Sequence, residues 1–147
     1  MKVKIALILS VIFMIAAADV HAQKASNYFF GKAGTNTYQH YSFWSANGKP
    51  TEITFSGGAN RTESKVTYKG KASYQGKTCF KMTRANGKVF YVYPIGLKLA
   101  IVNATTKKIE TFTWEYEGPV NGVGTFCNVC AQDEKEAMTL LKAAYLK

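Results

Sequence analysis

Several things are scarce in this sequence. Its 147 residues contain 3 cysteines, 3 prolines and 2 histidines, and 9 acidic residues stand against 19 basic ones. So few histidines leave little imidazole for acid–base work: His21 falls in a leader described below, and a Ser-His-Asp or Cys-His arrangement would rest on His40 alone. His40 lies in "YQHYSFW", on the strand face of Tyr38 and Trp44, where a packed histidine is the simpler reading. Haem attachment needs Cys-x-x-Cys-His, and residue 131 is alanine. No Gly-Lys-Ser/Thr phosphate loop occurs, and "GPVNGVG" lacks the strand and helix of a dinucleotide loop. The longest apolar run, Ile5 to Ala18, is 14 residues, shorter than the ~20 that cross a bilayer. No membrane span is expected.

That run follows Lys2 and Lys4 and precedes small residues, the pattern of a secretory signal peptide. Cleavage is expected after Ala22, which divides the chain into a leader, 1–22, and a single domain, 23–147. The product would be secreted or periplasmic. No cysteine occurs before Cys79, which excludes anchoring through a lipid-modified cysteine after the leader.

Positive charge is unevenly spread. Arg61, Lys65, Lys69, Lys71, Lys77, Lys81, Arg84 and Lys88 face one acid, Glu63, in that stretch, while Glu110, Glu115, Glu117, Asp133, Glu134 and Glu136 fill the C-terminal quarter. Such a chain carries an electrostatic dipole if the two stretches occupy different faces. Lysines on outward strand positions are a solubilising coat in the plainer reading. In the sharper one, Lys69, Lys71, Lys77 and Lys81 form a docking face for an anionic partner. Export makes nucleic acid the least expected of these.

Aromatic residues are plentiful, 14% of the chain. Trp44, Trp114 and Tyr116 are candidates for a pocket or exposed sheet face that takes a carbohydrate or other small ligand. An aromatic core is the plainer account.

From about Thr37 onward, short runs rich in Tyr, Phe, Thr, Val and Ile alternate with turn signals: "YQHYSFW", "TEITFS", "KVTY", "TCFKMTR", "VFYVY", "LKLAIVN" and "IETFTWEY". Asn86-Gly87 is the strongest hairpin signal and Asn47-Gly48 a weaker one; "KGKASYQGK" reads as a long turn after "KVTY". The pattern predicts a mainly β domain, an antiparallel meander of about seven strands forming a sandwich, curved sheet or small barrel. Leu97, Leu99 and Ile101 share one face of their strand, and Phe112, Trp114 and Tyr116 one face of theirs. From Cys130 the period changes: Cys130, Ala137, Met138, Leu141 and Tyr145 form a helical stripe, predicting one C-terminal helix over about 130–146.

Three cysteines leave one over whatever pairs form. A Cys127–Cys130 bridge closes a small ring worth about 2 kcal/mol in the chain-entropy model, and one from Cys79 to either closes about 50 residues, worth about 4 kcal/mol. Stability favours the long bridge and spacing the short one. Cys127-x-x-Cys130 at a helix start also suits a thiol-disulfide catalyst, with Cys127 attacking and Cys130 resolving. Asp133, Glu134 and Glu136 oppose that by raising a nearby thiolate's pKa. A zinc site of three cysteines and His40 lacks the usual two close-spaced pairs, and no metal or cofactor is expected.

The function these features favour is that of an exported, non-enzymatic binding protein. Its partner would be a protein, as for an inhibitor or immunity-type protein, or a small ligand or glycan. A thiol-disulfide redox protein is the competing class.

Overall fold

Eight antiparallel strands close on themselves in chain order: β1 (Lys24–Phe30), β2 (Gln39–Ala46), β3 (Lys49–Gly57), β4 (Thr62–Tyr74), β5 (Lys77–Arg84), β6 (Val89–Ile95), β7 (Lys98–Asn103) and β8 (Ile109–Trp114). One helix, α1 (Glu134–Tyr145), follows. The structure is a computed structural model and describes residues 22–116 and 129–147. Residues 1–21, where a leader is expected, and Cys127 lie outside the described residues.

The expected meander with one C-terminal helix is the fold, in its barrel form. Seven strand-like runs became eight because β1, "KASNYFF", was not among them. Its polar start hides the strand, whose buried residues run consecutively from Ala25 to Tyr28 rather than alternating.

Turn chemistry sets the registers. Asn47 and Gly48, both at positive φ (53° and 66°), make a two-residue link between the paired Ala46 and Lys49, as a type I′ turn requires. Gln75 and Gly76 do the same between Tyr74 and Lys77. The Asn86-Gly87 turn is longer: Gly87 N–H donates to Arg84 O and Arg84 N–H to Lys88 O, both at 2.9 Å. Most of "KGKASYQGK" proves to be strand, with the turn confined to Gln75-Gly76, because β4 absorbs Lys69 and Gly70 as an irregularity between Tyr68 and Lys71 and runs 13 residues to Tyr74.

Eight strands enclose a lumen that side chains can fill, and aromatic residues fill it. Tyr28, Tyr41, Phe43, Phe80, Met82, Val92, Leu99 and Phe112 are buried in one cluster. Phe43 meets Phe80 edge-on at 5.7 Å, and Tyr41 meets Phe112 likewise at 5.4 Å. Polar side chains such as Lys65, Thr67 and Lys77 are exposed, so the apolar side is the inside, the reverse of a lipid-facing barrel. Among the described residues no helix is long and apolar enough to cross a membrane.

α1 plugs one end of the lumen. Ala137, Met138, Leu141, Ala144 and Tyr145 are its buried stripe, matching four members of the expected one. Asp133 caps the helix by accepting from Glu136 N–H at 2.7 Å, so the helix begins at Glu134 rather than near 130. Cys130 instead lies in an extended segment: Ala25 N–H donates to Val129 O (2.7 Å) and Ala131 N–H to Ala25 O (2.8 Å). β8 covers only Tyr28 and Phe29 of β1, so this segment takes the stretch of β1's edge that β8 leaves open.

Candidate functional site

The outer face of β4–β6 brings basic and aromatic side chains together. Along β5, Phe80 and Met82 point into the lumen, so Cys79 and Lys81 point outward. The pairs Ala72↔Cys79 and Lys81↔Tyr91 extend that outer face to both neighbours. Tyr74 stacks on Tyr91 with ring centroids 5.1 Å apart and lies nearly parallel to Tyr93 at 6.4 Å. The three rings form a slab over Cys79, Ala100 and Val102, a second buried cluster separate from the lumen. The rings pack on these small side chains, and this explains why "VFYVY" is apolar on both faces of its strand. Lys77 Nζ sits 4.7 Å from the Tyr93 ring centroid, a cation–π contact.

The lysines named from the sequence therefore divide. Lys77 and Lys81 belong to the slab face. Lys69 is exposed within the β4 irregularity. Lys71 pairs with inward-facing Phe80 and so points to the opposite side of β4 from Tyr74.

Trp44, Trp114 and Tyr116 do not form one site. Trp44 alternates with the inward Tyr41 and Phe43 and so lies on the outside of β2. Trp114 packs against the lumen cluster, with its indole N–H buried and without a hydrogen-bond partner among the described residues. Tyr116 lies past the end of β8, 6.3 Å from Trp114. Leu97, likewise, is 43% exposed in the β6–β7 turn rather than on the face of Leu99 and Ile101. Tyr74, Tyr91 and Tyr93 were not singled out from the sequence, although Tyr91 and Tyr93 show the two-residue spacing of a shared face.

Cys79 is a free cysteine, completely buried. It lies on β5, four strands from β1, against which Cys130 is held. In a closed eight-stranded barrel those positions are opposite, so the long bridge does not form. Burial pushes the Cys79 thiol's pKa up, which disfavours the reactive thiolate. Cys130 is disulfide-bonded, 2% exposed, and its sulfur accepts from Asn27 Nδ2 at 3.4 Å. A shielded sulfur suits a staple better than an attack site.

His40 is packed, as the plainer reading has it. It is buried, parallel to Tyr38 at 6.4 Å, and its Nε2 lies 3.8 Å from Glu115 Oε2. Tyr38 donates its hydroxyl to the same Glu115 oxygen at 2.9 Å. Glu110, two residues from inward Phe112 and paired with inward Ile101, faces the lumen, while Glu115 faces out; Glu117 lies outside the described residues.

No family model, curated protein or solved structure matches the chain. The functional reading rests on the site itself.

Proposed function

We propose that the protein is an exported binding protein that engages an anionic partner through the outer face of β4–β6. The carrying observation is the coincidence of the stacked Tyr74–Tyr91–Tyr93 slab with Lys77 and Lys81. Tyrosine rings supply flat, rigid contact area with a polar rim. Lysines beside them supply attraction for acidic groups and speed encounter. The barrel behind them holds the face rigid. An acidic protein surface uses both properties, which favours the inhibitor or immunity-type reading.

Cys130 acts in this reading as a structural staple rather than an attack site, held where the last segment joins β1. The test compares the full chain with Lys77→Glu/Lys81→Glu and with Tyr91→Ala, using polyglutamate as an acidic-protein mimic and a heparin oligosaccharide as an anionic glycan. Polyglutamate binding that weakens with salt, is abolished by charge reversal and drops about tenfold in Tyr91→Ala supports the protein-partner reading. Binding confined to heparin replaces that partner with a glycan. Binding unchanged in both variants makes the face a solubility coat and ends the proposal.

A further inference from the structure

The lumen end opposite α1 is closed by a cation. Arg84 pairs with inward-facing Val66, so it enters the mouth of the barrel. Its guanidinium lies 3.7 Å from the Phe55 ring centroid and 4.6 Å from that of Phe90. Nε donates to the Tyr41 hydroxyl at 2.7 Å, and Nη2 donates to Gln39 Oε1 at 2.8 Å and also contacts the Tyr41 hydroxyl. These acceptors are neutral: burial holds the Tyr41 phenol protonated, its pKa pushed up to about 12 despite the neighbouring cation. None of these bonds uses Nη1 and its two donors.

The nearest candidate for a counter-ion is engaged elsewhere. Glu110 accepts from Gln39 Nε2 at 2.9 Å and pairs with Lys108 at 2.8 Å. Among the described residues Arg84 has no carboxylate partner, an expensive arrangement for a half-buried charge. Above it opens a cavity of ≈ 170 Å³ lined by Arg84, Lys88, Phe90, Ile101, Lys108 and Glu110, among others. Three cations less one carboxylate leave that lining at +2. At about 10–15 Å³ per water, the space takes on the order of ten waters, or a short organic acid.

We propose that this mouth binds a small organic carboxylate, its oxygens on Arg84 and its short apolar tail against Phe90 and Ile101. A planar guanidinium presents paired N–H groups that fit a carboxylate, and the rings of Phe55 and Phe90 fix the plane in advance. Lys88 and Lys108 at the rim raise the local anion concentration. Glu110 opposes the ligand's charge and keeps affinity moderate. This site lies at the lumen mouth, whereas the tyrosine slab lies outside the wall, so either can fail without the other.

The test titrates the full chain with butyrate, butyramide and inorganic phosphate, following ¹⁵N resonances of the Arg84 side chain and calorimetric heat. Saturable butyrate binding is expected, with butyramide at least about tenfold weaker because it lacks the charge. Arg84→Lys, which keeps the charge but not the fork, should lower butyrate affinity about tenfold. Glu110→Gln should raise it several-fold, and it decides the matter if Arg84→Lys does not fold. Lack of saturation, equal binding of butyramide, or no gain in Glu110→Gln overturns the proposal. Phosphate binding as tight as butyrate overturns the assignment of the tail.

Discussion

Tyr145 is where the helix plug meets the barrel wall, and replacing it measures how firmly the plug is held. Its ring is fully buried and contacts three others: Tyr68 at 5.3 Å, Phe43 at 5.7 Å and Phe80 at 5.1 Å. Its hydroxyl donates to Trp44 O at 2.6 Å and is 3.0 Å from Glu52 O. Both carbonyls lie where ladders break: the β2–β3 register shifts after Trp44, and β3–β4 pairing begins only at Ile53. The phenol thus stands in for strand hydrogen bonds at a gap. Tyr145→Phe keeps the ring and removes the donor, leaving buried carbonyls short of a partner at a cost of about 1–3 kcal/mol. Tyr145→Ala also empties the space among three rings and should cost about 4 kcal/mol or more. At about 4 °C of Tm per kcal/mol for a chain of this size, the two variants should be clearly separated. Urea unfolding followed by circular dichroism should show falling midpoints with an unchanged slope. A Tyr145→Phe protein as stable as the parent would mean that water satisfies those carbonyls. A Tyr145→Ala protein within about 1 kcal/mol of the parent would mean that α1 does not plug the core.

Two further outcomes follow from buried titratable groups. The phenols of Tyr28, Tyr41 and Tyr145 all have pKa values raised above the ordinary 10.0, burial being the largest cause. The folded state keeps these protons longer than the unfolded chain does, so stability should be full below pH 10 and fall as pH rises beyond it; phenolate absorbance and unfolding that do not coincide in alkaline titration would refute this. Cys79, buried beneath the tyrosine slab, should resist a thiol reagent in the native protein and react fully in denaturant; prompt labelling of the native chain would show that the slab opens readily.

Much of the architecture was legible because it follows from local chemistry. Asn-Gly pairs accept positive φ, and the change from a two-residue to a helical period after Cys130 marks where strand gives way to helix. The four-residue error at the helix start arose because Cys130 belongs to the apolar stripe by spacing yet pairs as backbone with Ala25. β1 escaped detection because Ala25, Ser26, Asn27 and Tyr28 are all buried, so alternation vanished. The basic, tyrosine-lined outer face was half legible. Lysine density pointed to β4 and β5, but an irregularity at Lys69–Gly70 sends Lys71 to the other side of its strand, and no local pattern reveals that.

What the sequence determined alone was the series of antiparallel strands, the terminal amphipathic helix, the basic bias of the middle of the chain and the thin supply of catalytic groups. Each depends on residue type and short-range spacing. Tertiary structure decided the rest: that the sheet closes, that Cys79 and Cys130 stand on opposite walls, that Tyr74 stacks with Tyr91 and Tyr93, and that Arg84 enters the mouth with no carboxylate paired to it among the described residues. Those outcomes depend on register and closure, which place residues tens of positions apart side by side and turn each strand residue inward or outward.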